Sequence, residues 1–295
     1  MKISIVTPSL NQARFIGRTI ASVASQQGVD LEHVVVDGGS TDGTLDILRA
    51  LGTSVRWVSE PDRGQSHAIN KGIRDTDGEI VGWLNSDDVY LPGALRHVVK
   101  CFSNLPGVDV VYGMANHINE EGEPFEPYPT RAWDFNLLRE RCFICQPAAF
   151  LRRAALDRFG DLNESLHYCM DYEYWLRLGM GGAKFAYVER LLAGSRMYPE
   201  NKTLRDRVAL HQEVNDMFRY LFGHVPDRWI LAYAYVKLKS GALGSANPFV
   251  RPFLWLREVA RASRQWNGSV PLSLGVALSR ALGTSLKRSV RTLAG

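Results

Sequence analysis

Through the first 90 residues, short apolar runs alternate with segments of helical period, and each run stops at a polar cluster. Residues 3–7 read as a buried strand. Residues 14–27 follow as a helix, with Ile16, Ile20, Val23 and Ala24 on one face. Strands at 32–36, 55–58 and 80–84 interleave with helices at 44–51 and 66–74. Such alternation with short links predicts an α/β fold, a mostly parallel sheet flanked by helices. Pro92-Gly93 opens a further helix to 102, and 108–114 reads as another strand.

Beyond 114 the pattern loosens. Residues 120–124 read as a turn, and Gln146-Pro147 precedes an apolar strand. Helices are expected at 135–141, 153–159, 171–178 and 204–222, with a short strand at 184–188. Amphipathic helices are expected at 229–239, 252–266 and 272–293. A chain of 295 residues has room for one large domain, or for a domain with an appendage. Charge marks the appendage. The net +4 hides a C-terminal region, 224–295, with 11 basic and 2 acidic residues, against 24 and 29 in residues 1–223. That region also carries Trp229, Tyr233, Tyr235, Phe249, Phe253, Trp255 and Trp266, unlike a disordered basic arm.

Apolar residues at 45% and charged residues at 22% exclude a disordered chain, a collagen-like fibre and a disulfide miniprotein. No apolar run reaches the roughly 18 residues of a spanning helix. The start, Met1 to Val6, has no signal-peptide core, so a cytoplasmic location is expected. Cys101, Cys142, Cys145 and Cys169 suit a reducing compartment. Cys142-Phe-Ile-Cys145 reads as buried thiols rather than zinc or redox chemistry.

In open parallel sheets, ligands bind beyond the carboxyl ends of the strands. Four runs here end in polar clusters: Thr7 to Gln12, Asp37 to Gly43, Glu60 to Gly64, and Asn85 to Asp88. Turn chemistry alone accounts for Asp42 and Asp77. The adjacent Asp87 and Asp88 repel each other unless a cation or hydrogen-bond donors offset them. A hard divalent ion held by one or two carboxylates and substrate phosphates would do so; a structural turn is the alternative. Gly38-Gly39-x-x-x-Gly43 lacks the dinucleotide spacing, and no phosphate-loop G-x-x-x-x-G-K-[ST] occurs. Rossmann dehydrogenases and P-loop NTPases are therefore disfavoured.

Five motifs follow in one order: Thr7-Pro-Ser-Leu-Asn11, Val35-Val-Asp-Gly-Gly-Ser-Thr-Asp-Gly-Thr44, Glu60-Pro-Asp-Arg-Gly64, Ala68-Ile-Asn-Lys-Gly72 and Asn85-Ser-Asp-Asp88. Together they strongly resemble family 2 glycosyltransferases of the GT-A fold, over about residues 1–200. The resemblance implies an inverting, hexosyltransferase-type enzyme that takes a sugar from a nucleotide-diphosphate sugar, with Mn2+ or Mg2+. It implies a catalytic region 1–223, with a donor half of about 1–115 and an acceptor half of about 116–223, and a helical C-terminal appendage 224–295. Thr7, Pro8, Ser9 and Asp37 would line the nucleotide pocket. Asp62 would contact the base, and Arg63 or Lys71 its polar edge or the phosphates. Asn85, Ser86 and Asp87 occupy the family's Asp-x-Asp position, with Asn85 replacing the first Asp. Asp87, with Asp88 close by, would hold the metal.

The family's base lies in a Glu-Asp pair opening a helix. Here Met170-Asp171 stands in that place, so Asp171 is the expected catalytic base and Glu173 the alternative; an N-cap is the structural reading of Asp171. Gln146-Pro147 resembles the acceptor-side segment. Tyr198 stands about where relatives carry a His near the diphosphate, and Arg196 or Lys202 are cations that could face phosphate. The acceptor is expected to be a glycan or lipid-linked glycan of the cell surface, and a UDP-sugar is favoured as donor by prior alone. The basic tail suggests an anionic membrane surface, hence a peripheral protein on the cytoplasmic face; a packed cap or a dimer contact is the alternative. No nucleic-acid motif accompanies the charge. A sugar-phosphate nucleotidyltransferase and a non-catalytic glycan-binding or nucleotide-sugar-binding module are the rival readings.

Overall fold

The protein was analysed as a computed structural model that describes residues 1–240 and 251–270. The chain divides into two compact units, Met1–Asn201 and Lys202–Gly295.

In the first unit, β1 (Lys2–Ser9), β2 (Asp30–Asp37), β3 (Arg56–Ser59) and β4 (Ile80–Trp83) alternate with α1 (Ile16–Ala24), α2 (Thr44–Ala50) and α3 (Gln65–Arg74). All three pairings among these strands are parallel. β1 is flanked by β2 and β4, so the chain reverses its order of strands at β1, the place where an open sheet of this kind offers a ligand its crevice. Register brings the ends together: Ser9 lies opposite Asp37, and Asp37 opposite Ser59. Ile3, Ile5, Val35, Ile80 and Val81 are fully buried, which is why these strands read as continuous apolar runs. α1 is shorter than the expected 14–27. Gln12 O accepts from Phe15 N and Ile16 N, and Asn11 takes a left-handed φ of 54°, so the chain turns before it coils.

The rest of the sheet is mixed. Its full order is β3-β2-β1-β4-β8-β6-β9-β5, with β7 on the edge of β6. β5 (Val89–Tyr90) leads into α4 (Ala94–Asn104) and β6 (Val110–Ile118). The expected turn at 120–124 is the tip of a hairpin into β7 (Pro124–Pro127). α5 (Phe135–Glu140), β8 (Ala149–Arg152), α6 (Arg153–Phe159) and α7 (Met170–Met180) follow. β8 runs antiparallel to both β4 and β6. The short strand expected at 184–188 is in fact β9 (Phe185–Arg196). Exposed Glu189 and Arg190 interrupt its apolar pattern near a register shift against β6, and pairing resumes beyond them.

The second unit holds α8 (Lys202–Arg205), α9 (Arg207–Phe222), α10 (Asp227–Ser240) and α11 (Arg251–Asn267). α10 packs on both α9 and α11. Phe218 and Trp229 lie 6.1 Å apart, and Tyr233 meets Trp266 edge-on at 4.8 Å. The charge boundary at 223 thus falls between α9 and α10, whereas packing groups α9 with the tail. The helix expected at 272–293 lies outside the described residues. Among the described residues, no helix is long and apolar enough to cross a membrane.

Candidate active site

At the rim of β1, β2 and β3 the carboxylates hold loops together. Asp37 is fully buried. Its Oδ2 accepts from Gly39 N (3.0 Å), Ser40 N (2.8 Å) and Ser59 Oγ (2.7 Å), and its Oδ1 from Ser40 Oγ. Asp42 accepts from Thr44 N (3.0 Å) and Ala13 N (2.9 Å), and Asn11 Oδ1 from Thr41 N (2.8 Å), which clasps the loops after β1 and β2. Half-buried Asp62 accepts from Gly64 N (2.8 Å). A Cβ on Gly38 would stand 2.6 Å from Asp62 Oδ2, so a larger residue there would push the Asp62 side chain aside.

Thr7, Pro8 and Ser9 are buried along the same rim. The Thr7 hydroxyl lies 2.9 Å from His33 Nε2, and burial lowers the His33 pKa to about 4. Ser9 Oγ is buried with no hydrogen-bond partner. Arg63 and Lys71 are ion-paired with Glu164 (2.6 Å) and Glu60 (2.5 Å). Their charge is thereby already balanced within the protein.

At the end of β4, Asn85 Oδ1 accepts from Gln65 Nε2 (2.7 Å) and Ser86 O from Thr19 Oγ1 (2.9 Å). Asp87 is half-buried and its Oδ2 accepts from the Tyr198 hydroxyl (3.0 Å). Burial raises its carboxyl pKa, against the hydrogen bond from Tyr198. Asp88 is only 3% exposed, and burial together with the charge of Asp87 pushes its pKa well above the ordinary range. Its Oδ1 accepts from Arg196 N (2.8 Å), and its Oδ2 is 3.4 Å from Asn85 Nδ2. The expected second metal ligand is thus occupied as a brace inside the protein.

Arg196 differs from expectation as well. The residue is 1% exposed. Its Nε donates to Asp87 O (2.7 Å), and its Nη1 to Asn119 O (2.6 Å) and Glu120 O (2.8 Å). A guanidinium so committed to carbonyls caps loops rather than facing phosphate. Phe15 supports it, with its ring 4.9 Å from both the Arg196 guanidinium and the Tyr198 ring. Lys202 belongs to the second unit.

Across the crevice, α7 packs on β4 through Trp175, stacked on Trp83 at 5.5 Å. Asp171 lies one turn earlier on the same face of α7. It is half-buried and accepts from Tyr172 N (2.8 Å). Burial raises its pKa to about 6, against that bond in the first turn of its own helix. Glu173, the alternative base, is 5% exposed and forked onto Arg177 at 2.9 and 3.2 Å. Arg177 in turn donates to Phe159 O and Asp161 O, so this pair fastens α7 to the loop after α6.

Gln146 donates from Nε2 to Trp83 O (2.7 Å), while its Oε1 is buried without a partner. Cys145 feels the charges of both Asp88 and Asp171. None of the four cysteines is in a disulfide, and burial raises the pKa of Cys142 and Cys145, as expected of inert thiols. Arg196 as a brace, Phe15, and the Trp83–Trp175 stack have no signature in a single sequence, because each depends on segments far apart in the chain.

The profile of Glycosyl transferase family 2 matches residues 4–160, more than half of the chain. The chain belongs to this family. An uncharacterized glycosyltransferase of Rickettsia felis is 27% identical over 226 residues, 72% of this chain and 36% of that protein. The chondroitin synthase of Escherichia coli is 28% identical over 210 residues, 69% of this chain and 30% of that one. The chain thus spans about a third of the length of these relatives. Among solved structures, Staphylococcus aureus TarS 1–349, in complex with UDP-GlcNAc, superposes with a TM-score of 0.62 at 15% identity, covering 90% of this chain and 82% of that one. The mannosyltransferase PcManGT of Pyrobaculum calidifontis, in complex with GDP-Man and Mn2+, gives 0.59 at 21% identity, covering 99% and 82%. The fold is therefore GT-A, with a helical C-terminal region.

The donor atoms near Asp87 test whether a family 2 divalent ion fits. Among the described residues, no three His, Cys, Asp or Glu side chains gather as a ligand set. Asp88 is committed to Arg196 N and Asn85, whereas Asp87 gives only Oδ2 to Tyr198. One carboxylate with substrate phosphates and water is the sparse protein shell that suits Mg2+ or Mn2+. The residues present fit that arrangement.

Proposed function

We propose that the chain transfers a sugar from a nucleotide-diphosphate sugar to a hydroxyl of a glycan or lipid-linked glycan, with inversion at the anomeric carbon. Thr7, Pro8, Ser9 and Asp37 form the nucleotide side, with Asp62 at the base and Arg63 and Lys71 at its polar edge. Asn85 and Ser86 face the donor beside Asp87. Asp87 would hold Mn2+ or Mg2+, which, when bound, offsets the charge developing on the leaving diphosphate. Relatives named as chondroitin and hyaluronan synthases support a glycan acceptor.

The observation that carries this reading is Asp171. Among the described residues its carboxyl accepts from the first turn of its own helix, and burial raises its pKa to about 6. Such a group is ionised at neutral pH, yet more basic than an ordinary aspartate. It takes the proton of the acceptor hydroxyl as that oxygen bonds to the anomeric carbon. The bond from that carbon to the diphosphate oxygen breaks, and the nucleoside diphosphate leaves with the electron pair. One base and no protein nucleophile give a single displacement.

Asp171→Asn should lower turnover about 1,000-fold and leave donor-induced thermal stabilisation in place. Wild-type rate should rise with pH through about 6, and NMR of the product should show inverted configuration. A retained configuration, or normal turnover by Asp171→Asn, defeats the mechanism. Donor binding by the wild type without transfer to any acceptor returns the chain to a binding module.

A further inference from the structure

The last 72 residues contain two carboxylates, Asp227 and Glu258. Glu258 is 8% exposed and salt-bridged to Lys237 at 2.7 Å; it approaches Arg261 only to 4.0 Å. α11 turns Val259, Ala262 and Trp266 inward, where Trp266 meets Tyr233 and donates from Nε1 to Asp216 (2.7 Å). This packing fixes which face points out. On the outer face stand Arg257, Arg261 and Arg264, all exposed, at helical spacings of four and three. Phe253, one turn before Arg257, is 64% exposed on the same stripe. Leu254, Trp255 and Leu256 beside it are half-buried.

We infer that this face of α11 docks the chain on an anionic phospholipid surface. Three arginines in one stripe, with the Glu258 carboxylate withdrawn into an internal ion pair, make this stripe of α11 positive; the exposed carboxylate of Asp216 on α9 meets α11 at Trp266, on its inward face. The charge complementarity points to an anion-rich surface. The exposed phenylalanine in line with them selects a surface that has an apolar layer beneath its anions. That is the composition of an interfacial helix lying in the headgroup plane. A polyanion without such a layer would have no use for Phe253. The docking needs no catalytic group, so it stands or falls separately from the transfer reaction.

The test is co-sedimentation of the full chain with vesicles of phosphatidylglycerol mixed with phosphatidylcholine, and with vesicles of phosphatidylcholine alone. Binding is expected on the first and not the second, weakening as salt rises. Replacing Arg257, Arg261 and Arg264 together by Gln should weaken binding roughly 100-fold, at about a fivefold loss per cation. Phe253→Ser should give a smaller loss that persists at high salt. The same melting temperature in each variant shows that the fold is kept. Neutralising Arg49 and Arg74, exposed cations of the first unit already paired with Asp46 and Asp161, should change nothing. Asp171→Asn should bind vesicles like the wild type, which separates docking from transfer. Equal binding to both vesicle types, or equal losses from the two arginine sets, overturns the inference. So does heparin binding as tight as vesicle binding and indifferent to Phe253→Ser, which would reassign the stripe to a soluble polyanion.

Discussion

The parallel and mixed halves of the sheet handle acidic side chains in opposite ways. On the parallel side, Asp37 and Asp42 are wrapped by donors from their own and neighbouring loops, and Asp62 holds Gly64. On the mixed side, Asp171 accepts from one backbone N–H and is otherwise left in a low-dielectric recess. The first arrangement spends negative charge on loop geometry, which shapes a pocket before any ligand arrives. The second leaves a carboxylate costly when ionised, and that cost raises its affinity for a proton. Asp87 and Asp88 stand where the halves join, one facing Tyr198 and the other internally braced.

The contrast has a sign that stability measurements can break. Asp37→Ala strips acceptors from two backbone N–H groups and two hydroxyls in a buried loop. It should destabilise the protein by about 4 kcal/mol, as read by denaturant unfolding. Asp171→Asn should do the reverse. The folded pKa of about 6 lies above the ordinary 3.8, so ionisation opposes folding once pH exceeds the unfolded value. The variant should gain up to ~3 kcal/mol at neutral pH. That gain should shrink as pH falls below 6 and vanish below about 4, where both states are protonated. If Asp171→Asn were destabilising at neutral pH, its carboxylate would be a loop tie like Asp37, and the distinction between the halves would collapse. Tyr198→Phe sharpens the junction between them. Loss of the hydroxyl at Asp87 should raise the Asp87 pKa further and cost about 1 kcal/mol of stability, with thermal melts as the readout.

The same two halves differ in how far a single sequence discloses them. β1 to β4 were legible because each has an apolar core of a few residues followed at once by a polar, turn-forming cluster. The motif from Asp37 to Thr44 even encodes its own hydrogen bonds, since Asp37 and Asp42 bind donors two or three residues on. The other half hides its strands. β5 has two residues, β7 is exposed and begins and ends in proline, and β9 is interrupted by Glu189-Arg190. Asp171 was expected as the base from its place after Met170, and the Glu173–Arg177 fork ties up the alternative, which no sequence pattern announced. Arg196, read as a cation that could face phosphate or solvent, is instead buried as a brace. No local pattern announces that the carbonyls of Asp87, Asn119 and Glu120 converge on one guanidinium.

That guanidinium makes the β6–β7 hairpin and the acidic end of β4 a single mechanical part. Lengthening the hairpin, or exchanging it for a loop from another protein, would take two carbonyl acceptors from a buried guanidinium and slacken its hold on the backbone of Asp87. Grafts meant to alter acceptor choice should therefore leave Asn119 and Glu120 in place and begin beyond them.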